Sequence, residues 1–203
     1  MTKPLTAKAN IIPTDTNLGQ QDGKETGANR TPPEGIYGPR GWTTKRAIGS
    51  IIQPYVTSLE VPADEPLLEI PSFLVFAGMG AAAAERLLSN LTRPNLRDRQ
   101  NLGPRCDELL KIAVANPINV RLHGYAVGPS RHDERLTIEG LWVAGYDEYQ
   151  VNADHDDSCD CEILWDAISS DLGISTAFCE PDEIWPMFPM WEPYRMGWWL
   201  WWD

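Results

Sequence analysis

Histidine at position 155, followed by cysteines at 159 and 161, places three metal-ligating side chains within one short segment. Imidazole nitrogen and thiolate sulfur are the donors zinc takes in structural sites, where four of them close a tetrahedron. The segment leads into Ile163, Leu164, Ala167 and Ile168, whose spacing predicts a helix over about 159–172. Ser158 stands where an N-cap belongs, Asp160 and Glu162 suit the first-turn dipole, and Gly173 stands where the helix stops. Thiols at such a helix start are favoured as thiolates. One helix and a return loop would bring Cys179 back as the fourth ligand, with Cys106, His132 or a nearby carboxylate as substitutes. Cysteines spaced as Cys-x-Cys are not the paired knuckles of zinc fingers, so two incidental thiols in an acidic loop is the competing reading. Asp154, Asp156, Asp157 and Asp160 offer oxygens to calcium, but the glycine and the closing glutamate of an EF-hand are missing.

A second constellation comes from alternation. Ile118, Val120, Leu122 and Ala126 alternate with Asn119, Arg121, His123 and Tyr125, and Leu136 and Ile138 alternate with Arg135, Thr137 and Glu139. The two runs read as strands of a hairpin over 118–127 and 135–143, joined by the turn-rich segment 128–134. With Val127 opposite Arg135, Tyr125 faces Thr137 and His123 faces Glu139, with Arg121 one step away. A His–Glu pair beside an arginine could act as general base with an anion stabiliser. An ordinary polar sheet face carrying cross-strand charge pairs explains the same residues.

Gly78, Gly80 and Ala83 match the dinucleotide-binding spacing after a short apolar run, but the polar segment 93–101 offers no second strand ending in an acid. The glycines are better suited to close packing at a helix start. Nucleophile elbows, phosphate-binding loops and HExxH zinc motifs are absent from the sequence.

These residues need a scaffold. Residues 1–46, rich in Thr, Pro, Gly and Asn, read as a disordered or weakly ordered arm. Residues 47–203 read as a single α+β domain, helices packed on a small antiparallel sheet. Its helical part spans about 47–116, and its sheet plus acidic, Trp-rich part about 117–203. Prolines at 54, 62, 66 and 71 predict short extended pieces and turns over 48–71. Ala84, Leu87, Leu88 and Leu91 predict a helix ended by Pro94, 93–104 reads as a loop, and a second helix is expected at about 105–115. The last strand falls in 195–202, with Met196, Trp198, Leu200 and Trp202 on one face and Trp199 and Trp201 on the other, as in a strand covered on both sides.

Charge and composition bound the function. Apolar residues make up 42% of the 203 residues, enough for a packed core. The longest nearly uncharged apolar run, Phe73 to Ala84, is too short to span a bilayer, so no membrane role is expected. The opening MTKPLTAKAN lacks the apolar core of an export signal, which predicts a reducing cytoplasm and free or metal-bound cysteines. Residues 1–132 carry 15 Lys and Arg against 12 Asp and Glu, whereas 133–203 carry only Arg135 and Arg195 against 17 acids. So acidic a part repels nucleic-acid phosphate and suits a basic protein partner or a cation. Arg86, Arg93, Arg97, Arg99 and Arg105 could hold nucleic-acid phosphate, but docking on the acidic half, within the chain or between copies, is the favoured expectation, and self-association is compatible with this polarity.

The leading expectation is a non-catalytic cytosolic binding or regulatory protein. It would contact a protein partner through its acidic, Trp-rich C-terminal part, one form being a nucleic-acid-mimicking inhibitor, with a structural zinc on His155, Cys159, Cys161 and Cys179. The alternatives are a small hydrolase-type enzyme using His123, Glu139 and Arg121 or a catalytic zinc, and an assembly component of a larger particle.

Overall fold

The computed structural model describes residues 32–58, 65–153, 155–156 and 158–203. They form an α+β fold around one five-stranded antiparallel sheet, with strand order β3-β4-β5-β7-β6. The hairpin of β4 (Val120–Val127) and β5 (Arg135–Ala144) is its centre. β3 (Leu74–Met79) adds to β4, and β7 (Gly197–Trp201) adds to β5. β6 (Glu183–Met187) pairs with β7 at the far edge. Of the expected arm, residues 1–31 lie outside the described residues, but 32–46 belong to the fold. There β1 (Glu34–Gly35) and β2 (Gly38–Pro39) make a small hairpin, followed by α1 (Trp42–Lys45).

That early segment is anchored by contacts remote in sequence. Glu134, 1% exposed, accepts hydrogen bonds from the N–H groups of Gly41 and Thr43 and from the Thr43 hydroxyl. The buried Trp42 indole donates to the Glu134 carbonyl. Three donors converging on one carboxylate offset the cost of burying its charge.

Within the stretch expected as extended pieces and turns, residues 48–55 instead form a short helix, α2 (Ile48–Ile52), running into a 3-10 turn at Gln53–Tyr55. Residues 56–58 and 65–71 are non-helical as expected, and 59–64 lie outside the described residues. Pro54 is tolerated because it sits at the start of that turn, where its missing N–H costs nothing. α3 (Ala81–Asn90) buries Ala83, Ala84 and Leu87, and α5 (Cys106–Ala115) buries Leu109, Leu110, Ile112 and Ala113. The expected loop at 93–104 opens with a helical turn, α4 (Arg93–Arg97), capped by the Thr92 side chain on the Asn95 N–H. α3 and α5 pack on each other, and α5 lies against β4 and β5. β3, although it lies within 47–116, belongs to the sheet.

α6 (Cys161–Leu172) ends at Gly173, whose φ of +67° is the left-handed cap that glycine adopts without strain. The helix starts two residues later than expected: Asp160, not Ser158, holds the N-cap position. Across four strands Leu122, Leu141, Leu200 and Ile184 stand in register and point into the core. On the opposite face Trp142, Trp199 and Trp185 stand in register, ending at the β6 edge. The fully buried indoles each find a carbonyl: Trp142 on Met187, Trp198 on Tyr146 and Trp202 on Cys179. Among the described residues no helix is long and apolar enough to cross a membrane.

Candidate metal centre

The segment before α6 folds back on itself. The Gln150 N–H donates to the Asp160 carboxylate, and the Asp160 N–H donates to the Gln150 carbonyl. Inside that closure Asp156 accepts from the Ser158 N–H and hydroxyl and from the Asn152 amide. Those bonds hold the Asp156 carboxyl below its usual range. Carboxylates committed in this way argue against the calcium reading, and Asp154 and Asp157 lie outside the described residues. His155 adopts φ +47°, a left-handed conformation that non-glycine residues seldom take.

The loop brings three donors together. His155 Nδ1 lies 3.5 Å from Cys159 Sγ, and the donor atoms of His155, Cys159 and Cys161 all lie within 4.8 Å of one another. Tetrahedral zinc, with sulfur at about 2.3 Å and nitrogen at about 2.0 Å, separates its ligands by about 3.5–3.8 Å. Contraction by about an ångström at the widest pair would therefore seat the ion. This group could hold a metal ion, and its donor chemistry fits zinc. The small burial of Cys159 pushes its thiol up, but hydrogen bonds from the Asn152 and Cys161 backbone, and from Cys161 and His155, outweigh this and leave it below the ordinary value. Cys161, more enclosed and beside Cys159, is pushed up.

Cys179 is not part of the group. The chain leaving α6 is pinned over the α4–α5 link: Glu108 accepts from Ser175 and Thr176, Arg99 donates to the Thr176 carbonyl, and its guanidinium lies 4.1 Å from the Phe178 ring. Cys179 is thereby carried to an exposed position with its N–H directed at the Leu102 carbonyl. Two of the substitutes fare no better: Cys106 is buried in the core, and His132 stands in the β4–β5 turn. The same pinning shows Arg99 meeting the acidic half through a carbonyl and a ring rather than through acids. Arg105 likewise pairs with Asp107 of its own helix, at 2.9 Å.

Two clefts open beside the three donors. One, of about 490 Å³, is lined by Val151, His155, Asp182, Glu183, Ile184 and Trp185 among others. The second, of about 290 Å³, takes in His155, Cys161, Glu162, Glu180, Asp182 and Ile184. Sequence reading missed β6 and therefore both clefts.

The His123 constellation is assembled differently from the expectation. Val127 does pair with Arg135 and Tyr125 with Thr137, but a bulge at Glu139 sets His123 opposite Gly140. His123 is 2% exposed and stacked on Trp199, with ring centroids 3.5 Å apart. Its Nε2 lies 3.3 Å from the Leu200 carbonyl, which can only accept, so that nitrogen carries the proton. Nδ1 stands 3.9 Å from Glu139, and Arg121 is drawn away to Glu192 at 2.7 Å. The structure thus encloses His123 against Trp199 and parts it from Arg121.

Burial holds the His123 imidazole below the ordinary histidine value, although Glu139 and the Leu200 carbonyl pull it up. An unfolded histidine titrates near pH ~6.5, so below that pH the unfolded chain takes up a proton that the native chain refuses. Stability will therefore fall as pH drops from about 7 towards 5, by up to about 1.4 kcal/mol per pH unit, and H123Q will remove that part of the slope. Urea denaturation of both proteins at pH 7, 6 and 5 checks this; parallel stability curves would refute it.

No protein-family model matches the chain, and no curated protein and no solved structure shows significant similarity to it.

Proposed function

We propose that this protein is a non-catalytic binding protein of a reducing, cytosolic compartment. Its zinc-stapled loop shapes an acidic groove that receives a basic segment of a partner protein. The observation that supports this reading is that His155 is shared between the metal group and the larger cleft, so the ion and the groove wall act on one another. Asp182 and Glu183 give that groove negative charge, and Trp185, 53% exposed, gives it an aromatic wall. Among the described residues no lysine or arginine lines either cleft. Rim charges of this kind steer and select an oppositely charged partner, while an aromatic anchor supplies most of the affinity. The basic face of a nucleic-acid-binding protein is a partner of this chemistry.

A second reading has one observation in its favour. Catalytic zinc keeps three protein ligands and an open position beside a substrate cavity, and three donors beside a cleft are what the loop presents. The fourth ligand therefore decides between the two.

Fluorescence anisotropy with a labelled octapeptide of alternating Lys and Leu tests the binding reading. Zinc-loaded protein will bind it, more weakly as salt rises, and will ignore the Glu/Leu counterpart. W185A will weaken binding by about tenfold or more. Equal affinity for the two peptides, or none for either, would overturn the proposal.

A further inference from the structure

We propose that the Glu180 carboxylate is the fourth protein ligand of the metal held by His155, Cys159 and Cys161, closing a two-cysteine, one-histidine, one-glutamate zinc site. This inference rests on the reading of those three residues as a metal centre. Glu180 lines the smaller cleft together with His155 and Cys161. Among the carboxylates there, Asp182 is already engaged by the Asp203 N–H at 2.8 Å. Glu162 follows Cys161 directly on α6, and consecutive helical residues diverge by about 100°, so both cannot face one ion. Glu180 is left as a carboxylate with neither a hydrogen bond nor an ion pair to the described residues.

Charge gives a second, independent argument. Three carboxylates and a cysteine line this cleft with no cation opposite them among the described residues. Held together, like charges repel, and a divalent ion is the partner that reverses the sign of the site. Carboxylate oxygen is an accepted zinc donor alongside thiolate and imidazole. A ligand from residue 180 also makes structural sense. The ion would tie the first turn of α6 to the segment entering β6, two elements with no mutual ladder of hydrogen bonds. It would leave no open position, which favours a binding protein over an enzyme.

Cobalt(II) titration tests the assignment, because thiolate-to-cobalt charge transfer reports the cysteines while the visible d–d bands report the number of ligands. Wild-type protein will show an intense four-coordinate d–d spectrum. E180Q will keep the charge-transfer band, lose d–d intensity as water enters, and bind at least about tenfold to hundredfold more weakly. E162Q and C179S will titrate as wild type. An E180Q titration indistinguishable from wild type, or an equal loss in C179S, would overturn the Glu180 assignment while leaving the three-residue centre standing. If C159S also titrated as wild type, the centre itself would fall. Far-UV circular dichroism confirms that each variant is folded, and Glu180, being exposed, makes no buried contact whose loss could mimic the effect.

Discussion

Changing Cys159 and Cys161 together to serine will leave the chain unable to retain the single zinc ion that each wild-type molecule will carry when purified without chelator. Serine keeps the size of the side chain but presents a neutral hydroxyl, whereas zinc in such sites is held by thiolate. The free energy at stake is large, since structural zinc sites bind with apparent energies of about 10–16 kcal/mol near neutral pH. Only the folded loop gathers the three donors, so binding feeds into stability. Free zinc a thousandfold above Kd will raise the unfolding free energy by about 4 kcal/mol in wild type and leave the double variant unchanged. Native mass spectrometry gives the stoichiometry, and urea denaturation with and without zinc gives the linkage. Equal zinc content in the two proteins would refute the assignment of these cysteines, as would a metal-free wild type that zinc does not stabilise. Amide exchange at Gln150, Ser158 and Asp160 will quicken when the ion is removed, because those N–H groups are held by exposed hydrogen bonds.

The parts of this molecule that are legible in its sequence are those whose signal is local. The apolar stripe Leu164–Ile168 and the glycine at 173 fix α6 and its end, because periodicity and a left-handed cap act within a few residues. The register of Val127 on Arg135 follows from alternation, and it holds until Glu139, where an inserted residue shifts the pairing. A bulge adds one residue without altering composition, so nothing in the sequence marks it. β6 is hidden for a different reason: Glu183–Met187 has Pro186 within it and no clean alternation. Proline, which has no N–H to donate, is tolerated because this is an edge strand open on one side, and it also blunts the edge against pairing with another chain. Residues 32–46 look like a loose arm because their order is imposed by Glu134, a partner far along the chain. The metal group divides along the same line: His155, Cys159 and Cys161 share one loop and were visible. Whether Cys179 or Glu180 returns to them depends on how Glu108 and Arg99 hold the chain after α6.

The tryptophans show the same dependence on position in the sheet. Trp198 and Trp202 are buried as alternation predicts, and Trp165 packs edge-on against Trp202 with centroids 5.7 Å apart. On the other face the row from Trp142 to Trp185 passes from full burial to exposure because it ends at an edge strand. One residue type thus supplies both the core and the aromatic wall of the groove, and only strand order separates the two roles.

Gly140→Ala will destabilise the protein by about 3 kcal/mol, and the reason lies in the same bulge that sets His123 opposite Gly140. A β-carbon at position 140 would stand 2.1 Å from the Leu200 carbonyl oxygen and 2.3 Å from His123 Nε2. The first of these atoms is backbone of the neighbouring strand β7. The second belongs to a ring locked between that carbonyl and Trp199, so neither can move aside without opening the sheet. Interiors packed at crystal-like density pass such a strain on rather than absorb it. For a chain of this size a loss of that order lowers the thermal midpoint by about 6–12 °C. Gly80→Ala is the matched comparison: its β-carbon would meet only Arg121 side-chain atoms, at 3.8 Å, and its backbone is already extended. That variant will stay within about 0.5 kcal/mol of wild type. Urea denaturation of the two variants separates steric from generic effects. A Gly140→Ala protein as stable as Gly80→Ala would mean that β5, β7 and His123 are not packed as described. The buried placement of His123 would then fall with it.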